Sequence, residues 1–299
     1  MVLGAIDIGS NAARLLISEV ITGDNGKPQF QKLNLVRVPL RLGFDVFERK
    51  TISPEKEIMI LETMHAYRHL LEVYGVKHLK ACATSAMRDA DNAERIIEHV
   101  KKETGIAIEV ISGDAEASFI YENHIAENLN KAHSYLYIDV GGGSTELTFF
   151  DEARMVFKRS FNIGTIRILK NQVDEFMWDE MKDFIKRETR GQTNLVAIGS
   201  GGNINKIFSL SKRKEGKSLN IESLKDYYKE FNSFNLKDRM RVYKLREDRA
   251  DVIVPALLIH INVMRWANIS EIFVPKIGLA DGLIQNLYAE ITKSELKPI

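Results

Sequence analysis

A repeated segment constrains this chain more than any other feature. Residues 5–15 align without a gap with residues 137–147, so that Asp139 of the second copy follows Asp7 of the first by 132 residues. Each copy has an apolar strand that ends in Asp-x-Gly, a turn of small residues and a second apolar strand. Such a match at domain spacing indicates a duplicated domain. At 299 residues the chain is long enough for two cores.

The order of predicted elements repeats as well. In the first half, apolar segments predict an antiparallel β-meander, and Ser53 as N-cap with Pro54 at the first helical position predicts the start of a helix. Strands and helices then alternate, which is typical of βαβ units with parallel strands. The meander strands span residues 2–9, 14–20 and 29–42, the later strands 79–83 and 106–111, and the later helices 93–103 and 115–128. From residue 135 the same order begins again, with strands that include 155–161 and 195–198.

These patterns predict an α/β fold made of two duplicated domains with an active-site cleft between them. Polar residues interrupt the apolar pattern at 122–131. We therefore place the domains at residues 1–124 and 125–299, and we allow for the last helix to pack back on the first domain.

Charge and hydropathy exclude several classes of protein. The 42 Lys and Arg residues nearly balance the 41 Asp and Glu residues, so no global basic surface indicates binding to nucleic acid or to a membrane. The N-terminus enters a strand pattern directly, and the chain has no run of about 18 apolar residues. We therefore expect a cytoplasmic protein.

The single cysteine, Cys82, lies within a predicted strand and is expected to pack in a core rather than to act as a nucleophile.

Each copy of the repeat carries a turn suited to an anion. Glycine lets the backbone approach a ligand, and consecutive N–H groups in such a turn form an anion-binding concavity. Phosphate is the expected ligand, and two equivalent turns favour this interpretation over two ordinary hairpins. The predicted phosphate-binding residues are Gly141, Gly142, Gly143, Ser144 and Thr145 in the second copy and Asp7, Gly9, Ser10, Asn11 and Arg14 in the first.

Two carboxylates flank the second turn. Asp139 precedes it and Glu146 follows it, so a tight hairpin would bring both side chains to the phosphates. Because two carboxylates beside a phosphate would repel it, we expect a bridging hard cation such as Mg²⁺. Asp7 holds the matching place in the first copy, where a carboxylate that caps its own turn is the alternative.

Six motifs occur in order along nearly the whole chain. They are Asp7-Ile8-Gly9-Ser10-Asn11 with Arg14, Ala83-Thr84-Ser85-Ala86-Met87-Arg88, Ile111-Ser112-Gly113 with Glu116, Asp139-Val140-Gly141-Gly142-Gly143-Ser144-Thr145-Glu146, Gly199-Ser200-Gly201-Gly202, and Arg249-Ala250-Asp251. Together they resemble the exopolyphosphatase/guanosine pentaphosphate phosphohydrolase family of the actin-like, sugar kinase and Hsp70 superfamily.

The resemblance implies a ribonuclease-H-like fold in each half and hydrolysis of the terminal phosphate of inorganic polyphosphate or guanosine pentaphosphate. It implies that Glu116 polarises the attacking water and that Arg88 faces the phosphates. It also implies that Asp139 and Glu146 form an acidic pair linked to Mg²⁺ and catalysis. The residues alone leave other roles open, since a carboxylate such as Glu116 in a first helical turn also favours the helix dipole, and a lone Arg88 is commonly solvated.

The chain departs from the family pattern at two motifs. Ala115 stands where the family usually has an acidic residue before Glu116, and Ala280 stands where it has an arginine. Arg249 and Asp251 match a family motif, but their spacing suits a charged helix start, and we predict a structural role for them. Longer members carry extra C-terminal helical domains, whereas this chain ends at residue 299. We therefore expect no strong preference for long polyphosphate.

Two other functions are compatible with the phosphate loops. An ATP-dependent small-molecule kinase of the same superfamily would use the same loops, although the Glu116 motif and the lack of an evident sugar site favour hydrolysis. The second is a non-catalytic sensor that binds guanosine tetraphosphate or pentaphosphate, but such a sensor would have no use for carboxylates that face an anion.

The apolar segment 252–266 allows a homodimer, and a buried helix between the domains explains this segment equally well.

Overall fold

The computed structural model describes residues 1–23, 26–121, 133–152, 154–275 and 278–295. These residues form two compact units. Residues up to 121 together with those from 278 onward make the first unit, and residues 133–275 make the second. The predicted boundary at 122–131 lies outside the described residues, so the domain limits stay a prediction.

The first unit contains a five-stranded sheet in the order β3-β2-β1-β4-β5. Strands β1 to β3 form an antiparallel meander, and β4 and β5 extend the sheet in parallel beside β1. This confirms the predicted meander with its parallel extension. The strands are β1 (Val2–Ile8), β2 (Ala13–Thr22), β3 (Pro28–Val38), β4 (His78–Ala83) and β5 (Ile108–Val110).

The second unit repeats this topology in a six-stranded sheet ordered β10-β11-β9-β6-β7-β8. Strand β6 takes the place of β1, because it pairs antiparallel with β7 and parallel with β9. The predicted duplication is therefore confirmed at the level of sheet topology. The strands are β6 (Ser134–Val140), β7 (Thr145–Asp151), β8 (Arg154–Phe161), β9 (Leu195–Ser200), β10 (Leu219–Asn220) and β11 (Glu271–Phe273).

The helices of the first unit include two short ones that the sequence pattern does not predict, α1 and α3. The predicted strand at 29–42 is wrong at its end, because β3 stops at Val38 and Arg41 adopts a left-handed φ of 56° before α1. Helix α2 begins at Pro54 as predicted, but Ser53 donates its hydroxyl to Asp45 instead of capping the helix. The described helices are α1 (Gly43–Arg49), α2 (Pro54–Val73), α3 (Ser85–Asp89), α4 (Ala93–Thr104), α5 (Gly113–Tyr121) and, at the end of the chain, α13 (Leu279–Glu295).

The helices of the second unit surround its sheet. The apolar segment 252–266 corresponds to α12, whose buried face belongs to the core of this unit. The described helices are α6 (Thr165–Leu169), α7 (Glu175–Glu188), α8 (Gly202–Leu210), α9 (Ile221–Ser233), α10 (Leu236–Tyr243), α11 (Glu247–Ala250) and α12 (Ile253–Trp266). In neither unit is any described helix both long and apolar enough to cross a membrane.

The last helix, α13, completes the core of the first unit. Ala280, which stands in place of the family's arginine, is buried there with Leu283 against Leu3 of β1. Gly282 permits a close approach to α5, since a Cβ atom at this position would overlap the carbonyl oxygen of Phe119. Lys80 of β4 donates to Asn286 and Glu290 at 2.6 Å and holds the middle of the helix.

Cys82 lies on β4 and is fully buried. Burial, followed by the charge of Glu109, raises the pKa of its thiol to about 12. A thiol that stays protonated is a poor nucleophile. The prediction that Cys82 packs in the core is therefore confirmed.

His260 is buried in the core of the second unit, with 1% of its surface exposed. Its Nδ1 lies 2.8 Å from the carbonyl oxygen of Ala256. Because a carbonyl oxygen only accepts, Nδ1 carries the proton of the neutral ring. Burial lowers the pKa of His260 from its ordinary 6.5 to about 4.

His260 is expected to make the protein sensitive to acid. Between pH 6.5 and 4 the unfolded chain binds a proton at this ring and the folded protein does not, so the free energy of unfolding falls as the pH is lowered through this range. The loss between pH 8 and pH 5 should be about 2 kcal/mol. Chemical denaturation at a series of pH values measures it.

The matched variant is His260→Asn, because the Asn Nδ2 is also attached to Cγ and retains a donor for Ala256. It is expected to flatten the pH dependence, whereas His69→Asn, at a side chain that is 79% exposed, should leave it as in the wild type. An unchanged pH dependence in His260→Asn would exclude His260 as its cause.

Candidate functional site

The predicted hairpin in the second unit is confirmed, and it brings its two acidic residues side by side. Asp139 on β6 is the direct antiparallel partner of Glu146 on β7. Paired residues of neighbouring strands point to the same face of a sheet. Carboxylate oxygens of Asp139 and Glu146 accordingly lie within 4.8 Å of each other. A spacing of this size allows both carboxylates to bind one hard cation.

Glu146 is the more buried of the two acids, with 2% of its surface exposed. Its Oε1 accepts hydrogen bonds from Ser144 at 2.6 Å and from Ser160 at 2.9 Å. Ser160 lies on β8 directly opposite Glu146. Two hydroxyl donors on one oxygen fix the orientation of the carboxylate. Sequence reasoning missed Ser160, because a β-bulge between Phe149 and Phe150 shifts the pairing of β7 with β8 by one residue and so places Ser160 opposite Glu146.

The Gly-rich turn of the second unit is held from behind by the first three residues of α6. The N–H of Thr165 donates to the carbonyl of Gly141 at 3.0 Å, and the N–H of Ile166 donates to that of Gly142 at 2.8 Å. The Arg167 side chain donates through Nε to the carbonyl of Gly143 at 2.8 Å. Three successive carbonyls of the turn therefore face one short segment.

The peptide geometry then sets the direction of the N–H groups in this turn. The protein has no cis peptide bond among its described residues, and in a trans peptide the N–H points opposite to the carbonyl. The N–H groups of Gly142, Gly143 and Ser144 therefore face away from the α6 segment and toward the same side. Successive backbone N–H groups with a common direction form an anion site.

Close packing behind this turn depends on Gly164. A Cβ atom at this position would lie 2.5 Å from the carbonyl carbon of Gly142 and closer still to the Gly142 oxygen. Thr145 is also tied to this region, because its buried hydroxyl donates to the carbonyl of Ile163. The proton of the Thr145 hydroxyl is thus already donated within the protein.

The third Gly-rich turn lies beside Asp139. Gly201 has a left-handed φ of 99°, and a Cβ atom there would lie 3.0 Å from Oδ1 of Asp139. A Cβ atom on Gly202 would lie 2.5 Å from the guanidinium of Arg249. The second unit thus collects an acidic pair, two glycine turns and the Arg249 guanidinium, so it combines groups that bind cations with groups that bind anions.

The first turn of the repeat is supported in a similar way in its own unit. The N–H of Gly43 donates to the carbonyl of Ser10 at 2.8 Å, and the N–H of Arg41 donates to that of Asn11 at 2.9 Å. The N–H of Gly9 donates to the carbonyl of Ala12 and closes the turn. The Ser10 hydroxyl lies 2.7 Å from that of Ser85. By the same peptide geometry, the N–H groups that follow Ser10 and Asn11 face away from α1.

Asp7 and Arg14 form an ion pair at the base of the first turn. Arg14 Nη1 lies 2.6 Å from Asp7 Oδ2, and the two residues are direct partners on β1 and β2. The Asp7 side chain is 5% exposed and that of Arg14 is 32% exposed. The carboxylate of Asp7 is therefore neutralised from the adjacent strand, and the guanidinium remains at the surface edge of the pair.

Arg88 and Glu116 also belong to the first unit. Arg88 lies in α3, beyond the end of β4, and donates through Nη1 to the carbonyl of Ile111 at 2.7 Å. Glu116 lies half-buried in the first turn of α5, and its N–H donates to the carbonyl of Ser112. Arg88 thus positions the segment that leads into the helix carrying Glu116.

The topology defines the class of protein to which this chain belongs. Each unit has an antiparallel meander extended by parallel strands beside its first strand, so the chain is an α/β protein with a duplicated sheet of ribonuclease-H-like strand order.

The chain belongs to the Ppx/GppA phosphatase family, whose model matches residues 20–290. The structure is similar to an exopolyphosphatase from Cytophaga hutchinsonii, with a TM-score of 0.80, 24% identity and coverage of 97% of this chain and 98% of the other. At this identity the likeness shows the fold.

Three curated relatives show the range of names among similar sequences. One is a bifunctional 3-dehydroquinate synthase/phosphatase of Fusobacterium nucleatum, 31% identical over 284 residues, which cover 85% of this chain and 42% of the relative. A guanosine-5'-triphosphate,3'-diphosphate pyrophosphatase of Pseudoalteromonas translucida is 24% identical, with coverage of 99% and 61%. Exopolyphosphatase 1 of Mycobacterium bovis is 23% identical, with coverage of 95% and 87%. The chain thus spans about half the length of the first two relatives.

Proposed function

We propose that this protein is a phosphohydrolase that releases the terminal phosphate from inorganic polyphosphate, guanosine pentaphosphate or both. The observation that carries the proposal is the turn at Gly141, Gly142 and Gly143. Its three carbonyls accept hydrogen bonds from α6, so its successive N–H groups point to the opposite side. This side of the turn lies next to the acidic pair of Asp139 and Glu146. Family membership and the names of the relatives support the same reaction class.

A divalent cation, Mg²⁺ by its preference for oxygen ligands, would be held by Asp139 and Glu146. The donor set fits it, because both groups offer carboxylate oxygens within 4.8 Å of each other and the Glu146 carboxylate is fixed by two hydroxyls. When bound, such an ion neutralises charge on the phosphates and so favours transfer. Without it, two carboxylates beside a phosphate chain would be repulsive.

The protein's own residues are assigned the remaining roles. The N–H groups of both turns bind phosphate oxygens, with Ser10, Asn11 and Arg14 in the first unit as further donors. Glu116 accepts a hydrogen bond from the attacking water and takes its proton. Arg88 faces the phosphates from the first unit. The proposal requires that Glu116 reach a terminal phosphate bound by the second unit.

Phosphoryl transfer asks little covalent chemistry of a protein. It needs an aligned water, bound phosphates and neutralised charge.

A cytoplasmic location and a homodimer stay predictions from the sequence.

The proposal is tested by phosphate release from tripolyphosphate, long-chain polyphosphate and guanosine pentaphosphate, each with Mg²⁺ and with EDTA. We expect release from at least one of them in the presence of Mg²⁺, and loss of release in EDTA. No phosphate acceptor is supplied, so release also separates hydrolysis from kinase activity. Absence of release from all three compounds would overturn the proposal, and equal release in EDTA would overturn the metal requirement.

A further inference from the structure

The two phosphate turns can be compared residue by residue, because the repeat aligns them without a gap. Ser10 corresponds to Gly142, and Asn11 corresponds to Gly143. In both units the first of these carbonyls accepts a backbone N–H from the chain that follows the third meander strand. The donors are Gly43 in the first unit and Ile166 in the second, each at 2.8 Å.

The second carbonyl of each pair is held by different chemistry. The Asn11 carbonyl accepts from the backbone N–H of Arg41 at 2.9 Å. The Gly143 carbonyl accepts from Nε of the Arg167 side chain at 2.8 Å. A side chain in the second unit therefore does what the main chain does in the first. The feature common to the two units is the hydrogen bond to this carbonyl, and not the charge of the donor.

We infer that Arg167 is a positioning residue for the second phosphate turn. Its Nε–H fixes the Gly143–Ser144 peptide so that the Ser144 N–H faces the phosphate. Gly143 has no side chain to limit its backbone, so this peptide can rotate if its carbonyl is released. The inference rests on the proposed function, and it deepens that function by naming a residue that the motifs do not include.

The same peptide connects the turn to the acidic pair. Ser144 donates its hydroxyl to Oε1 of Glu146 at 2.6 Å. Rotation of the Gly143–Ser144 peptide would therefore disturb the Ser144 N–H and the orientation of Glu146 together. Loss of the Arg167 donor should accordingly weaken phosphate binding through both the Ser144 N–H and the Glu146 carboxylate.

Two substitutions separate a positioning role from a direct charge contact. Arg167→Met keeps the side chain as far as the position of Nε but removes the donor and the charge. Arg167→Gln removes the charge but keeps a donor, because the Gln Nε2 is attached to Cδ just as the Arg Nε is. We expect Arg167→Met to weaken tripolyphosphate binding about tenfold, the effect of losing one hydrogen bond of about 1.4 kcal/mol. Arg167→Gln should stay close to the parent affinity.

Binding is measured by calorimetric titration of tripolyphosphate in the presence of Mg²⁺, with Glu116→Gln as the parent so that the ligand is not consumed. The matched control is Arg239→Met. Arg239 also donates through Nε to a carbonyl, that of Phe231 at 2.7 Å, but it lies on α10. It should lower the thermal midpoint and leave tripolyphosphate affinity unchanged.

Three results would overturn the inference. Parent affinity in Arg167→Met would show that the bond is dispensable, and equal weakening in Arg167→Gln and Arg167→Met would show that charge is what matters. Equal weakening in Arg239→Met would point to general loss of stability. A parent that binds tripolyphosphate while the wild type releases no phosphate would defeat the proposed hydrolysis and leave the inference standing.

Discussion

Glu116→Gln is expected to release phosphate about 10²–10⁴-fold more slowly than the wild type, the usual contribution of a general base. Glutamine has nearly the shape of glutamate but cannot take a proton from water. The N–H of residue 116 still donates to the Ser112 carbonyl, so α5 should begin as it does in the wild type. The measurement is kcat for phosphate release from tripolyphosphate with Mg²⁺, together with the thermal midpoint of each protein.

Asp114→Asn is the matched control for this prediction. Asp114 and Glu116 both lie in the first turn of α5, so each carboxylate favours the helix dipole by about 0.3–1 kcal/mol. If Glu116 served only the dipole, the two variants would lose similar stability and keep their activity. We expect only Glu116→Gln to lose turnover. Equal activities in the two variants would exclude Glu116 as the base.

Gly164→Ala is expected to lower kcat/KM for tripolyphosphate by about 10²-fold, the effect of a displacement of about 1 Å at a reacting site. The φ of Gly164 is −134°, which any residue adopts. The cost comes instead from space, because the new methyl group would lie 2.5 Å from the carbonyl carbon of Gly142. Backbone atoms cannot rotate away as a flexible side chain can. The turn itself must therefore move, and its N–H groups move with it.

The control for Gly164→Ala is Gly278→Ala. A Cβ atom on Gly278 meets nothing closer than 3.9 Å, so this variant should keep both its activity and its thermal midpoint. Steady-state kinetics over a range of tripolyphosphate concentrations decides the matter. Wild-type kcat/KM in Gly164→Ala would show that the turn at 141–143 can move without consequence for the reaction.

Much of the site was predictable because its chemistry is local. The Asp-x-Gly repeat places Asp139 at the end of a strand, and a short turn to the next strand makes Glu146 its partner. The pairing follows from the period of a β-strand and the tightness of the hairpin. Cys82 was also predicted correctly, since an apolar strand pattern around one thiol indicates burial.

Other parts of the site were not predictable from local pattern. The strand expected at 29–42 ends early because Arg41 turns to donate its N–H to Asn11, which is about 30 residues earlier in the chain. The helices α1 and α6 have seven and five residues, too few for a helical period to show. Gly164 and Arg167 stand outside every motif. Their importance follows from their contacts with the turn at 141–143, which only the structure shows.

By itself, the sequence determined that the fold is duplicated, that each half carries a turn of small residues, and that acidic residues flank the second one. These properties depend on residue types and on short spacings that strands and turns impose. Only the tertiary structure decided which way the N–H groups of each turn face and that α13 completes the first unit's core. Both depend on contacts between residues far apart in the chain, such as Arg41 with Asn11 and Leu283 with Leu3, and no local periodicity encodes such contacts.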